Sequence, residues 1–338
     1  MKHLLIVSLL LAAACAPEKE ESATTTAPAA ASTTLTLYSG RNEKLIQPLI
    51  DRFQTATGIK VAVRYGETSE LAATILEEGA RTPADVFLAQ DGAALGAIEK
   101  TELFQPLPPA ILERVEPRFA SGDGRWVGLS GRARTVVYST ERMKAAELPQ
   151  SLDALGDPAW KGRFGVAPSN ASFQAHMAAY SAVHGEKALR ELLRKLVANQ
   201  PKRYPNNSSI VRAVIAGEIE FGLVNHYYLW QMKREQPEAV VENFFMPEGE
   251  VSSFINVAGA GLLSREENAV RLIEYMLNDD SQRYFAQETF EYPLARNARP
   301  STGLIPLGEL RSSQIGFAAL SDSLPATLEL INQSGLLQ

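Results

Sequence analysis

The sequence predicts an α/β protein of two lobes with a ligand cleft between them, and three observations carry that prediction. From residue 35 onward, short apolar runs of strand type alternate with segments whose apolar residues recur at helical spacing. The connections are short, as expected for a mostly parallel sheet with helices on both faces. A turn-rich stretch ending near Lys161 interrupts the alternation once before it resumes, and 338 residues suit two domains.

Leu35-Thr36-Leu37-Tyr38 reads as the first strand and Ser39-Gly40 as its turn. Leu45, Ile46, Leu49, Ile50 and Phe53 then follow at helical spacing, with Pro48 marking a late start or a kink. Gly58 stops this helix, and residues 59–65 alternate as the next strand. A helix over 70–78 ends at Gly79, before a buried strand over 84–88. In the middle, 126–129 and 134–138 read as two strands separated by a Gly-Arg corner. The second α/β set comprises a strand over 164–167, a helical region over 175–197, a helix over 210–216 and a strand over 221–224. Helices over 266–277 and 281–289 follow the Gly-rich segment 256–261. Residues 134–138 and Phe244-Phe245 are the expected crossings between lobes. Lobe 1 is then about 35–135 plus part of 250–338, and lobe 2 about 136–250.

Net charge is −6, from 33 basic and 39 acidic residues, so the chain lacks a cationic field suited to a nucleic-acid backbone. One cysteine and four histidines exclude a disulfide framework, a CxxC redox pair and a zinc ribbon. The positive start Met1-Lys2-His3 and the apolar run to Ala14 read as a signal peptide over 1–14. Small residues before Cys15 resemble a lipoprotein cleavage box, so Cys15 is the expected lipidation site, with simple secretion as the alternative. The Ala-, Thr-, Ser-, Pro- and Glu-rich stretch to residue 34 contains no large apolar residue and reads as a flexible tether.

Asn225-His226-Tyr227-Tyr228 directly follows the strand over 221–224. Ligands of α/β sheets sit beyond the carboxyl ends of strands, and a helix start there can bring two phenols to one point. Phenolate is a hard anionic donor whose proton a strongly polarising trivalent cation displaces, and ferric iron is the biologically common ion of that kind. Two core tyrosines are the plain alternative.

Several further motifs occur in a fixed order: Leu37-Tyr38-Ser39-Gly40-Arg41, Thr82-Pro83-Ala84-Asp85-Val86-Phe87, Ser130-Gly131-Arg132-Ala133-Arg134, Tyr204-Pro205-Asn206-Asn207 and Asn256-Val257-Ala258-Gly259. Together with the tyrosine pair they resemble the ferric-ion-binding periplasmic components of ABC transporters, over nearly all of Leu35 to Arg299. The resemblance implies a type II, transferrin-like periplasmic-binding-protein fold, with Tyr227 and Tyr228 as iron ligands. It also implies Fe(III) held with a synergistic anion such as carbonate, a permease and ATPase complex as partner, and a monomer in the periplasm or at the cell surface.

The remaining site residues match the family less closely. Where members place a histidine after the first strand this chain has Asn42-Glu43, and where some place a glutamate it has Gln90. Glu43 is the expected carboxylate ligand or cleft-closing partner, against a solvated first-turn glutamate. Asn42, the poorer ligand Gln90 and His226 are expected behind the direct ligands. The family's further tyrosine falls near Ser172-Phe173, which lacks it, so Tyr204 is the candidate third phenol. Arg132 resembles the family's anion-holding arginine, whose guanidinium fork suits planar oxyanions, with Arg41 as a second arginine or a surface salt bridge. Ser169 and Asn170 precede a helix, where hydroxyls and backbone N–H groups bind the same anion or simply cap; Asn207 is a further anion candidate.

No GxSxG elbow, P-loop or HExxH motif is present, and no matched acid and base point to an enzyme. A competing reading keeps the cleft and changes the cargo to a free oxyanion or phosphonate held by Arg41, Arg132, Ser169 and Asn207.

Overall fold

A computed structural model describes residues 34–249, 251–301, 303–310 and 315–338. The expected signal peptide, nearly all of the tether and Cys15 lie outside the described residues.

The chain opens with β1 (Thr34–Ser39), α1 (Glu43–Thr57), β2 (Lys60–Tyr65), α2 (Thr68–Glu78), β3 (Val86–Ala89) and α3 (Gly92–Glu99). Asn42 caps α1 by accepting the Lys44 N–H, so the helix starts before Pro48 and runs through it rather than beginning late. The apolar stripe of Ile46, Leu49, Ile50 and Phe53 is buried, and this anchors the helix despite the proline. After the short α4 (Pro109–Leu112) comes β4 (Trp126–Ser139), in which all fourteen residues are buried. The expected corner between two strands is absent, because an irregularity between Gly128 and Ser130 adjusts the register while the strand continues.

β5 (Phe164–Val166) is followed by α5 (Ala171–His184) and α6 (Glu186–Ala198). The single helical region expected there is divided by Gly185, whose φ of 84° lies where side-chain-bearing residues are strained. Then come β6 (Lys202–Arg203), α7 (Asn207–Ala216), β7 (Phe221–Asn225), α8 (Tyr227–Glu235) and β8 (Val241–Phe244). The chain finishes with β9 (Ile255–Leu262), α9 (Glu267–Met276), α10 (Asp279–Gln287), β10 (Tyr292–Pro293) and α11 (Phe317–Ser334).

The sheet order is β2-β1-β3-β9-β4-β7-β5-β6. β1, β2 and β3 are parallel, as are β7, β5 and β6, so each end of the sheet is a parallel α/β unit. Between them, β4 pairs antiparallel with β9 up to Ala133 and with β7 from Arg134 onward. β10 joins β4 at Ser130 and Gly131, and β8 joins it from Val136 to Ser139. One strand thus links the two parallel units and changes partners at its middle. α11 packs against α3 of the first parallel unit and against α5 and α6 of the second.

The main core underlies both lobes, and a smaller cluster of Ile210, Val211, Val214, Val224, Leu229 and Met232 fixes α7 and α8 to β7. Phe164 stacks on Phe221 at 5.5 Å, with the Trp160 ring edge-on at 5.3 Å, and this locks β5 to β7. The same contact requires Gly222, where an added Cβ would lie 2.3 Å from Ile210 Cγ2 and 3.1 Å from the Gly165 carbonyl oxygen. Gly222→Ala is therefore expected to destabilise the protein by about 1–3 kcal/mol. Urea denaturation of the two proteins measures the difference, and an unchanged midpoint would refute this account of β7.

Candidate metal and anion site

The carboxyl ends of β3, β5 and β7 converge where α/β sheets place ligands, and helices begin immediately beyond them. The first residues of α5 and α8, and the cap of α3, open on a cavity of about 60 Å³, several times the roughly 10–15 Å³ that one buried water needs. Its walls are Gln90 and Asp91 after β3, Arg132 and Arg134 on β4, Asn170 to Ser172 at α5, Asn225, Tyr227 and Tyr228 at α8, and Phe254 with Asn256 at β9. Both lobes therefore contribute. Helix N-termini carry partial positive charge, so three of them around one cavity favour anionic oxygen.

Strand periodicity puts Arg132 and Arg134 on the same face of β4, aimed at this cavity. Arg134 Nη1 donates to Ser172 Oγ at 3.2 Å, Asn207 Oδ1 at 3.1 Å and Asn225 Oδ1 at 3.0 Å. No carboxylate pairs with it among the described residues, and its buried Nε has no partner. Burial pushes its pKa down to about 10 against the opposing influence of Tyr227 and Tyr228. Arg132 is also buried; among the described residues its guanidinium makes a long 3.5 Å contact from Nη2 to the Val257 carbonyl, and its Nε is likewise unpartnered. Both guanidiniums thus retain donor capacity that an oxyanion can take up.

Tyr227 and Tyr228 are the first two residues of α8, and their rings lie 4.3 Å apart at an angle of 30°. Adjacent side chains diverge in an extended strand, whereas this helix start holds both phenols on one cavity wall. Burial, followed by the charge and hydrogen bond of Tyr227, drives the Tyr228 pKa well above the ordinary phenol value. Two phenols beside two buried cations form a donor set for a hard, highly charged cation that displaces their protons. Among the described residues no cluster of three or more His, Cys, Asp or Glu side chains gathers to hold a metal.

His226 serves the backbone. Its Nδ1 accepts the Ala133 N–H at 3.1 Å, its own N–H donates to the Ala133 carbonyl at 3.0 Å, and Nε2 donates to the Phe290 carbonyl at 2.8 Å. Burial pushes its pKa down to about 4, which keeps the ring neutral. It therefore stands behind the tyrosines with both ring nitrogens occupied.

The structure brings together Tyr227, Tyr228, Arg132, Asn170 and Gln90, with Asn207 directly behind, where it accepts from Arg134 and donates to Asn170 and Ser172. It does not bring the other candidates to the cavity. Glu43 is exposed on the first turn of α1, where it adds to the upward effect of burial on the Tyr65 pKa, while Asn42 is the exposed cap of that helix. Tyr204 lies in a separate surface groove and donates to Glu218 at 3.3 Å; burial and that carboxylate push its pKa up to about 12, which disfavours a phenolate. Ser169 is exposed outside the cavity. Arg41 forms a buried ion pair with Glu291 at 2.9 Å instead of a surface bridge or an anion contact. Burial would raise the Glu291 pKa, but Arg41, Arg132 and the Ser130 hydroxyl outweigh it and hold this carboxyl below its usual range.

Arg134, Asp91, Asn225 and Asn256 were not anticipated as site residues. The alternation of β4 pairs Arg134 with Arg132, and the position of Asp91 after β3 was the available signal for that residue.

A model of the bacterial extracellular solute-binding protein family matches residues 81–303. The chain belongs to that family. A Serratia marcescens "Fe(3+)-binding periplasmic protein" is 32% identical over 309 residues, covering 90% of each chain. Iron-bound HitA from Pseudomonas aeruginosa superposes with a TM-score of 0.82 at 31% identity, covering 89% of this chain and 99% of that one. A Trichodesmium protein in complex with iron and citrate gives 0.79 at 27% identity, covering 89% and 99%. These relatives are named as an Fe(3+)-binding protein and as iron-bound proteins, their α/β fold is shared by this chain, and the family is one of solute-binding proteins rather than enzymes.

In this solute-binding protein His176, on α5, is wholly buried and donates from Nε2 to the Val251 carbonyl at 2.8 Å. Burial, then Arg134, pushes its pKa down to about 3 from an ordinary 6.5. The unfolded chain therefore takes up this proton first as the pH falls. The stability contributed by the neutral ring is complete above about pH 6.5 and declines through the window down to about pH 3. In urea denaturation at pH 7 and 4.5, His176→Gln is expected to lose less stability than the native sequence, the slopes differing by up to about 1.4 kcal/mol per pH unit. Parallel slopes would refute the assignment.

Proposed function

We propose that the protein is an extracytoplasmic binding protein that holds Fe(III) in its interlobe cavity and delivers it to an ABC permease and its ATPase for iron uptake. Lipidation of Cys15 after signal cleavage holds it at the membrane, and it acts as a monomer. The lobe boundary lies in β4 near residue 134, where the strand changes partners, so ligand contacts from both sides favour closure.

The observation that carries this reading is the pair of phenols at the start of α8, facing two buried arginines in one cavity. Tyr227 and Tyr228 bind the ion as phenolates, and the proteins similar in sequence and fold are ferric-iron-binding proteins. The cavity's charges call for an added anion. A ferric ion, two phenolates, two guanidiniums and the Asp91 carboxylate leave two positive charges over, and Glu291 is already held by Arg41. A small dianion such as carbonate cancels that excess, with Arg132, Arg134 and the α5 N-terminus as its donors.

Titration of the iron-free protein with a ferric salt in carbonate buffer is expected to give a visible phenolate-to-iron band and to release protons, with affinity falling as the pH is lowered. Tyr227→Phe and Tyr228→Phe should each weaken the band, and the double variant should abolish it. A protein that takes up no iron, or a double variant with unchanged affinity, overturns the proposal. The two unpartnered guanidinium nitrogens support a second reading, a receptor for a free oxyanion or phosphonate. Calorimetric binding of phosphate without metal would favour that reading.

A further inference from the structure

Glu291 is a buried carboxylate that the binding scheme above leaves unused. Its Oε2 accepts from Arg41 Nη2 at 2.9 Å and from Ser130 Oγ at 2.6 Å. The second bond fixes where the charge sits. Ser130, Arg132 and Arg134 alternate onto one face of β4, and successive positions on a strand face lie about 7 Å apart. The main chain agrees, since Tyr292, the next residue, pairs with Gly131. The carboxylate therefore stands one position along the row from Arg132, behind the cavity that Arg132 lines. No ion pair joins the two among the described residues, and Arg132 keeps its unpartnered Nε. Arg41 and Glu291 cancel in a sum of charges, but they form a dipole whose negative end is the one bonded to β4. Burial dominates the pKa values of Tyr228 and His226, with Tyr227 next for Tyr228; beyond that, Glu291 pushes both up and Arg132 pushes both down, while Arg41 has no part in either.

We infer that Glu291 determines what the anion pocket accepts: its charge offsets part of the attraction of Arg132, so that the metal-free protein holds an oxyanion weakly and captures it together with the ferric ion. The inference rests on the ferric reading above and adds to it the residue that makes anion capture depend on the metal. A unit charge acting across about 7–10 Å at an effective dielectric constant of about 20 changes a dissociation constant about ten- to hundredfold. The iron-free receptor is thereby kept from filling with free oxyanion through its two guanidiniums alone.

The test is Glu291→Gln, a nearly isosteric change that keeps an oxygen for Arg41 and Ser130 and removes the charge. Calorimetry of the metal-free proteins with inorganic phosphate reads the result. Glu291→Gln should bind phosphate about ten- to hundredfold more tightly than the native protein, and Glu291→Asp, which keeps the charge, should stay near the native value. A merely structural role for Glu291 predicts the opposite, an affinity that is unchanged or lost. The double variant Arg41→Gln, Glu291→Gln decides the matter if the single variant folds poorly, and it also tests whether a freed Arg41 grips the anion. With the whole dipole removed, part of the gain should remain. Phosphate affinity that does not rise in folded Glu291→Gln, an equal rise in Glu291→Asp, or native affinity in the double variant overturns the inference. Titration of the native protein with a ferric salt judges the ferric reading separately: absence of iron uptake sinks that reading, whereas the phosphate comparison is made without iron, so the two failures are distinguishable.

Discussion

Two buried guanidiniums, neither in an ion pair among the described residues, are the constraint around which the site is arranged. Burying a charge is costly unless it is paired and hydrogen-bonded. Arg134 is tolerated because Ser172, Asn207 and Asn225, from three different elements, present oxygens to one of its nitrogens. Those acceptors fix the start of α5, the start of α7 and the end of β7 relative to β4, and α8 begins two residues beyond that strand end. Burial and then Tyr227 raise the Tyr228 pKa, and the positive charge of Arg132 opposes that rise. A cavity of this kind repels a bare cation and accepts one that arrives with, or creates, enough negative oxygen.

The general plan was legible in the chain because it depends on local regularities. The apolar stripes of α1 and α9, the stop at Gly58 and the all-apolar run at β3 each have one ready interpretation. The tyrosine pair was legible for a related reason, as it follows a strand directly and the geometry of α/β sheets assigns strand ends to ligands. β4 was harder. Gly131-Arg132 resembles a corner locally, yet β9 and β10 approach so closely that an added Cβ at Gly131 would press on Leu294 and Ile255. Small residues there serve close packing of a continuous strand, and only the partners reveal it.

Side chains whose roles depend on distant partners were the least legible. Glu291 meets Arg41 across 250 residues of chain, and nothing adjacent to either announces the pair. Tyr204 follows a short strand much as the tyrosine pair does, but its neighbour is Glu218, and a carboxylate beside a phenol opposes ionisation. Glu43 sits beside the right motif on a turn that faces solvent. Position along the chain placed these residues close to the right elements, and orientation decided which of them reached the cavity.

The ring of His226 has a mechanical consequence. At Ala133, where β4 leaves one set of strands for the other, the main-chain N–H is satisfied by an imidazole nitrogen instead of a neighbouring strand's carbonyl. The junction is therefore tied through one ring to the chain just before β10, because the nitrogen opposite the Ala133 bond is held by the Phe290 carbonyl.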